Sequence, residues 1–203
     1  MTKSAAQLLP RHSVLRVEER WVTKTDPERE DLGALVRRAQ DGSEAALEAL
    51  VRRFQDRIAG FVYSSIGRSD AIEDVCHNAF LKMISGLPRL RDANSFEPWL
   101  FRIARNVCND HLRKERVRRL FVPFELKHEQ VTTPEHHVDS RLDGFRVAVE
   151  GLPRAQKELI LLLAENDWSY EQLAEITNST VSAVKSRLFR AREFLRRRET
   201  DEN

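Results

Sequence analysis

Residues Ser169–Arg190, SYEQLAEITNSTVSAVKSRLFR, decide the fold of the C-terminal third. Ser169 with Gln172 three positions later is a capping box, so a helix opens here. Leu173, Ala174 and Ile176 follow at helical spacing, and small Ala174 permits a second helix to approach closely. Thr177-Asn178-Ser179 breaks the pattern. Asparagine stands where such a turn commonly has glycine, and among the other residues it best tolerates positive φ. Thr180 caps a second helix whose inward stripe is Val184, Leu188, Ala191 and Leu195. Two short helices joined by a tight turn make a helix-turn-helix. The outward residues at the start of its second helix, Val181, Ser182, Lys185 and Ser186, are placed to face a major groove. Arg187, Arg190, Arg192, Arg196, Arg197 and Arg198 follow, interrupted by one acid, Glu193. Such a cluster suits a phosphate backbone. The competing reading is a helical hairpin with a solvated basic face, and by itself the motif says no more than DNA binding.

Upstream, the chain is again helical in pattern. Leu32, Leu35, Val36 and Ala39 keep the helical period until Asp41-Gly42. Ser43 caps a longer helix with Leu47, Leu50, Val51, Phe54, Ile58, Phe61, Val62 and Ile66 inward, ended by Gly67. Ser69 opens a third, with Ile72, Val75, Cys76, Ala79, Phe80, Met83 and Ile84 inward, closed by Leu87-Pro88. Asn94 and Glu97 form a capping pair for a fourth, from about 95 to 119. Leu142, Phe145 and Val149 resume the period after a break, and Leu152-Pro153 starts a helix with Leu159, Ile160 and Leu163 inside. With no strand-like alternation, the expected fold is all-α. Two small helical domains, residues 31–119 and 141–198, are joined by a flexible linker, 120–140. Residues 1–30 form a mobile extension in which Trp21 alone hints at a contact, and 199–203 a tail.

The fourth helix carries the more specific pattern. Its apolar face is Phe96, Trp99, Leu100, Ile103, Ala104 and Val107. Arg102, Asn106, Asn109 and Arg113 fall at i, i+4, i+7 and i+11, with Arg105 beside them and Lys114, Arg116, Arg118 and Arg119 beyond. Amides read base edges and cations hold phosphates, so this one stripe combines both kinds of contact. Aromatics beside a basic face can serve as a platform for unstacked bases; Phe96 and Trp99 fit that role or simply the core. The third helix contrasts with it. Asp70, Asp74, His77, Asn78 and Leu81 share an outward face, with Glu73 alongside. Acid near a helix start and an exposed leucine fit a protein-docking surface, though favourable charge at a helix N-terminus would explain the acids as well.

Taken together, SDAIEDVCHNAFLKMISGLPRL (69–90) and NSFEPWLFRIARNVCNDHLRKERVRR (94–119) resemble the second conserved region of extracytoplasmic-function (ECF) sigma factors. GLPRAQKELILLLAENDWSYEQLAEITNSTVSAVKSRLFRAREFLRR (151–197) resembles their fourth region. The resemblance implies a factor that brings core RNA polymerase to promoters. Asp70, Glu73, Asp74, His77, Asn78 and Leu81 would grip the clamp of the largest subunit. Asn94, Phe96, Trp99, Arg102, Arg105, Asn106, Asn109, Arg113 and Lys114 would recognise and help melt the minus-ten element. Thr180, Val181, Ser182, Lys185, Ser186, Arg187 and Arg190 would read the minus-thirty-five element, their domain also sitting on the polymerase flap. A dedicated anti-sigma protein is a further implied partner, and a stress or envelope-signal regulon the implied output. Asn178 and Ser179 depart from the family pattern and bear on the turn geometry.

The remaining bulk properties are compatible with this. The 203 residues carry a net charge of only +2, so it is the distribution of the charge that points to nucleic acid. Cys76 and Cys108 lack the spacing of a disulfide framework, and no apolar run has the length of a signal peptide or membrane span. A cytoplasmic, non-enzymatic protein with no catalytic residues, metal or cofactor and no small-molecule substrate is expected. Two rivals differ in kind. A conventional regulator, with a sensing domain ahead of the helix-turn-helix, leaves the Arg102–Arg113 stripe unexplained. A metal enzyme would use Cys76, His77, Cys108 and His111, but both cysteines fit buried positions; His136-His137 fit a solvated linker. Lacking a further covering domain, the polymerase- and DNA-facing residues are expected to stand permanently exposed.

Overall fold

The computed structural model describes residues 31–67, 69–121 and 149–201. Helix α1 (Leu32–Gln40) is capped by Asp31, whose carboxylate accepts from the Gly33 amide. Helix α2 (Glu44–Ile66) starts at Ser43, which accepts from Ala46 N, and stops at Gly67 with φ 75°, a conformation that only glycine adopts at little cost. Helix α3 (Ile72–Gly86) runs into a 3₁₀ turn, Leu87–Arg89, and a second 3₁₀ turn, Ala93–Ser95, leads into α4 (Phe96–Phe121). The C-terminal domain holds α5 (Arg154–Glu165), α6 (Tyr170–Thr177) and α7 (Val181–Asp201). No strand occurs among the described residues.

Two expected caps are placed differently. Helix α3 begins at Ile72, and Ser69 instead accepts from Ala71 N at 3.1 Å in the preceding turn. Ahead of α4, Asp92 caps the 3₁₀ turn Ala93–Ser95 in which Asn94 itself lies. Its carboxylate accepts from Asn94 N and Ser95 Oγ, each at 2.9 Å, which holds its pKa below the ordinary range. Glu97 turns away to pair with Arg57 of α2. Pro153 sits at the N-cap of α5, one residue before the first turn.

In the N-terminal domain Leu50, Phe54, Ile58 and Phe61 of α2 meet Val75, Ala79 and Met83 of α3 and Leu100 and Ala104 of α4, all buried. Gly86 sits where α3 passes under Trp99; a Cβ there would lie 2.9 Å from the indole. Gln40 donates to Leu87 O at 3.0 Å and Leu90 O at 2.7 Å, tying α1 to the turn after α3. Ile84, expected inward, is exposed on α3 near Leu81.

The two cores are not separate. Buried Phe101 of α4, absent from the expected apolar face, stacks edge-on against buried Trp168, ring centroids 5.3 Å apart. Helix α2 packs on α5, and α4 on α6, so one apolar cluster runs through both domains. Residues 122–148, which include most of the expected linker together with Leu142 and Phe145, and residues 1–30 with Trp21 lie outside the described residues.

Candidate nucleic-acid interface

The helix-turn-helix forms as its sequence dictates. Ser169 Oγ accepts from Gln172 N while the Gln172 side chain accepts from Ser169 N, a complete capping box. Thr177, buried, donates to Leu173 O at 2.6 Å, and Asn178 takes the left-handed conformation with φ 49°. Ser179 N then reaches back to Ala174 O, closing the turn. Thr180 Oγ1 accepts from Ala183 N at 3.2 Å and so caps α7. Val184, Leu188, Ala191 and Leu195 are buried as expected.

What α7 leaves outside is a mixed surface. Thr180, Ser182, Lys185, Ser186 and Arg190 are exposed, while Val181 and Arg187 are half-buried. Lys185 Nζ lies 5.3 Å from the Tyr170 ring centroid, a cation–π contact that steadies the ammonium at the helix start. Phe189, 63% exposed, stands one turn beyond Lys185 on the same face. Helical periodicity marks the buried stripe of α7 and leaves Phe189 off it. An exposed phenylalanine between basic residues was the available signal.

Asp70, in the turn before α3, and Glu73, Asp74, His77, Asn78 and Leu81 on it are all exposed, with Leu81 at 49% and Ile84 extending the apolar part. Nothing among the described residues covers this face.

The α4 stripe is arranged otherwise. Asn94, Asn106, Arg113 and Lys114 are exposed. Phe96 is fully buried between Phe54 and Trp99, so its ring belongs to the core, and Trp99 is half-buried beside it. The other three stripe residues meet the C-terminal domain. Arg105 Nε donates to Glu158 Oε1 of α5 at 2.6 Å; Arg102 Nη1 lies 3.6 Å from Glu175 Oε1 of α6; Arg154 of α5 donates to Asn109 Oδ1. The expectation that every DNA-facing residue stands exposed is therefore corrected: the C-terminal domain covers most of Arg105 and half-buries Arg102 and Asn109, while Asn106 between them stays exposed.

Burial marks two further groups. Cys108 is buried, and that burial pushes its thiol up to about 12. The described residues contain no cluster of three histidine, cysteine or acidic side chains able to hold a metal. Glu165, at the end of α5, has its carboxyl pushed up to about 7 by burial, offset in part by Arg57.

Residues 50–118 match the family model for sigma-70 region 2, and residues 142–195 that for sigma-70 region 4. The ECF RNA polymerase sigma-E factor of Haemophilus influenzae is 33% identical over 176 residues, spanning 80% of this chain and 92% of the relative. The ECF RNA polymerase sigma factor SigC of Mycobacterium tuberculosis is 32% identical over 184 residues, 86% of this chain and 94% of that one. Among solved structures, the sigma factor RpoE of Bartonella quintana, in complex with the anti-sigma factor NepR, aligns with a TM-score of 0.63 at 25% identity over 77% of this chain and 98% of that one. CnrH, solved with the cytosolic domain of CnrY, shares the fold at a TM-score of 0.64 and 24% identity, over 85% of this chain and 99% of that one. The two region matches in their order, and relatives above 30% identity over nearly their whole length, place this chain among the ECF RNA polymerase sigma factors.

Proposed function

We propose that this chain binds core RNA polymerase and directs it to promoters with two separate DNA contacts, α7 reading the upstream element and the α4 stripe the downstream one. The observation that carries this reading is the pairing of a complete helix-turn-helix, with Lys185, Ser186, Phe189 and Arg190 outward, and a second helix whose polar stripe mixes Arg102, Arg105, Asn106, Asn109 and Arg113. One DNA reader would suffice for a conventional regulator; the second stripe is what a regulator does not need. The acidic start of α3 with Leu81 supplies a surface for the polymerase clamp, and the C-terminal domain seats on the flap.

The mechanism needs binding energy and no chemistry from this chain. Polymerase holds the two readers at the separation of the promoter elements. Bases unstacked from the downstream element are held along α4, offsetting lost pairing and stacking of a few kcal/mol per extruded base. Phe96 is buried in the core, so Trp99 and the stripe amides carry that contact. No helix among the described residues is long and apolar enough to cross a membrane, which agrees with a site of action in the cytoplasm, where polymerase and chromosome are. The solved relative RpoE was captured with an anti-sigma factor. A partner of that kind fits this chain, competing with polymerase for the α3 face or clamping the two domains together.

Mobility shift tests the reading. The purified chain alone binds duplex DNA weakly, because its basic residues are split between two small footprints, and gains sequence preference with core polymerase. Tight specific binding by the chain alone would favour the conventional regulator.

A further inference from the structure

Tyr170 opens the first helix of the helix-turn-helix, and its backbone has little freedom. Trp168, two residues before it, is fully buried, and Ser169 between them is locked into the capping box with Gln172. The Tyr170 ring is half-buried at the edge of the C-terminal core. It lies against α7, with its centroid 5.3 Å from Lys185 Nζ. Two turns further along the same helix, Arg192 is half-buried as well. Burial holds its guanidinium below the ordinary arginine range, and Tyr170 beside it offsets part of that. The ring therefore spans the face of α7 from Lys185 to Arg192.

Lys185 itself is exposed, and among the described residues no carboxylate pairs with it. Nor does the Tyr170 hydroxyl make a hydrogen bond among them, so it is the ring face that Tyr170 brings to the ammonium. The electron-rich face of an aromatic ring attracts a cation. A lysine on its flexible four-carbon stem otherwise loses rotamer freedom when it docks, and holding it beforehand removes part of that loss. The neutrality of the partner matters. A carboxylate in the place of the ring would compete with DNA for the ammonium, whereas a ring holds the charge without cancelling it and leaves N–H donors free.

We propose that Tyr170 is a positioning residue for promoter recognition: its ring holds the Lys185 ammonium at the head of α7, already aimed when the upstream element arrives. Tyr170 reads no base itself and acts through Lys185. The first helix of the motif thereby sets how sharply the second discriminates. This rests on the reading of α7 as the upstream contact with Lys185 among its base readers.

Replacing the electronics of the ring while keeping its shape tests it. The full-length chain, with core RNA polymerase, transcribes promoters altered one base pair at a time across the upstream element. Residue 170 is tyrosine, phenylalanine or pentafluorophenylalanine, whose fluorines withdraw the electron density that attracts a cation. Tyr170→Phe is expected to discriminate like the unaltered chain. The fluorinated ring should lose roughly two- to fivefold at the base pair where Lys185→Ala also loses discrimination, and nothing elsewhere. Tyr170→Leu, which removes the ring, should match it. In a Lys185→Ala background neither change should have a further effect. Circular dichroism melts check that each variant folds. Full discrimination with the fluorinated ring, a loss equal at every position, or a loss that persists without Lys185 overturns the positioning and leaves the upstream reading standing. A loss in Tyr170→Phe as large as that of the fluorinated ring assigns the effect to the hydroxyl and overturns it too. Lys185→Ala without effect at any position removes Lys185 from the base readers, and the positioning with it.

Discussion

Arg105 of α4 and Glu158 of α5 form a charged hydrogen bond of 2.6 Å across the domain seam, with each side chain less than one-fifth exposed. Removed from most of the screening that weakens surface pairs, this contact measures how firmly the domains are joined. Arg105→Ala and Glu158→Ala are each expected to lower stability to urea, and the double variant by less than their sum. The double-mutant coupling should be about 1.5–3 kcal/mol, the range of a hydrogen bond to a charged group. Additivity to within a few tenths would mean the domains do not meet this way in solution.

The domain seam should also respond to pH through Glu165. Its pKa is raised from 4.5 to about 7 because the folded chain buries the carboxyl. A raised acid is bound to its proton more tightly in the folded state, so its contribution is full below about 4.5 and lost as pH rises through about 7. Arg57 from α2 faces it and partly offsets the burial, Arg57 being shared with Glu97 of α4. Urea midpoints should therefore fall between these pH values, and Glu165→Gln should flatten the fall. An equal slope in the variant would assign the pH dependence to other groups.

The turn of the helix-turn-helix gives a cleaner stability test. Asn178 holds φ 49°, where a Cβ costs roughly 1–2 kcal/mol in residues other than glycine, asparagine and aspartate. Asn178→Ala should lower the melting temperature, whereas Asn178→Gly should leave it nearly unchanged. Equal losses from both would show that the asparagine side chain, not the backbone conformation, matters.

Local physics made most of this structure legible in advance. The Ser169–Gln172 box, the Asn178 turn and the stripe of Val184, Leu188, Ala191 and Leu195 each rest on neighbours within a few residues, and all stand where the sequence puts them. The start of α4 stands where the sequence puts it, but the Asn94–Glu97 pair does not form: Asp92 caps the turn ahead of the helix, and Glu97 is claimed by Arg57, forty positions away. Phe101 and the contacts that Arg105 and Asn109 make with the C-terminal domain share a cause. They depend on how one domain meets the other, and hydrophobic periodicity within a helix does not encode which polar face a second domain will cover. Exposure of Phe189 follows from the complement of the stripe that forms the core.

Division of labour between the two readers follows from their separation on different helices. Lys185→Ala should weaken use of the upstream element, and Asn109→Ala use of the downstream one. Each lost base contact costs roughly 1–3 kcal/mol of discrimination. Transcription from promoters altered in one element at a time separates the two effects. Matching responses of both variants on both promoters would remove the assignment.

The measurement that bears most directly on the central claim is in vitro transcription on fragmented genomic DNA, with core RNA polymerase and this chain as the only added factor, followed by mapping of transcript starts. The account predicts discrete starts that need both core and chain, preceded by two shared sequence elements at fixed spacing. Starts unchanged by leaving the chain out, or scattered without shared elements, would contradict it.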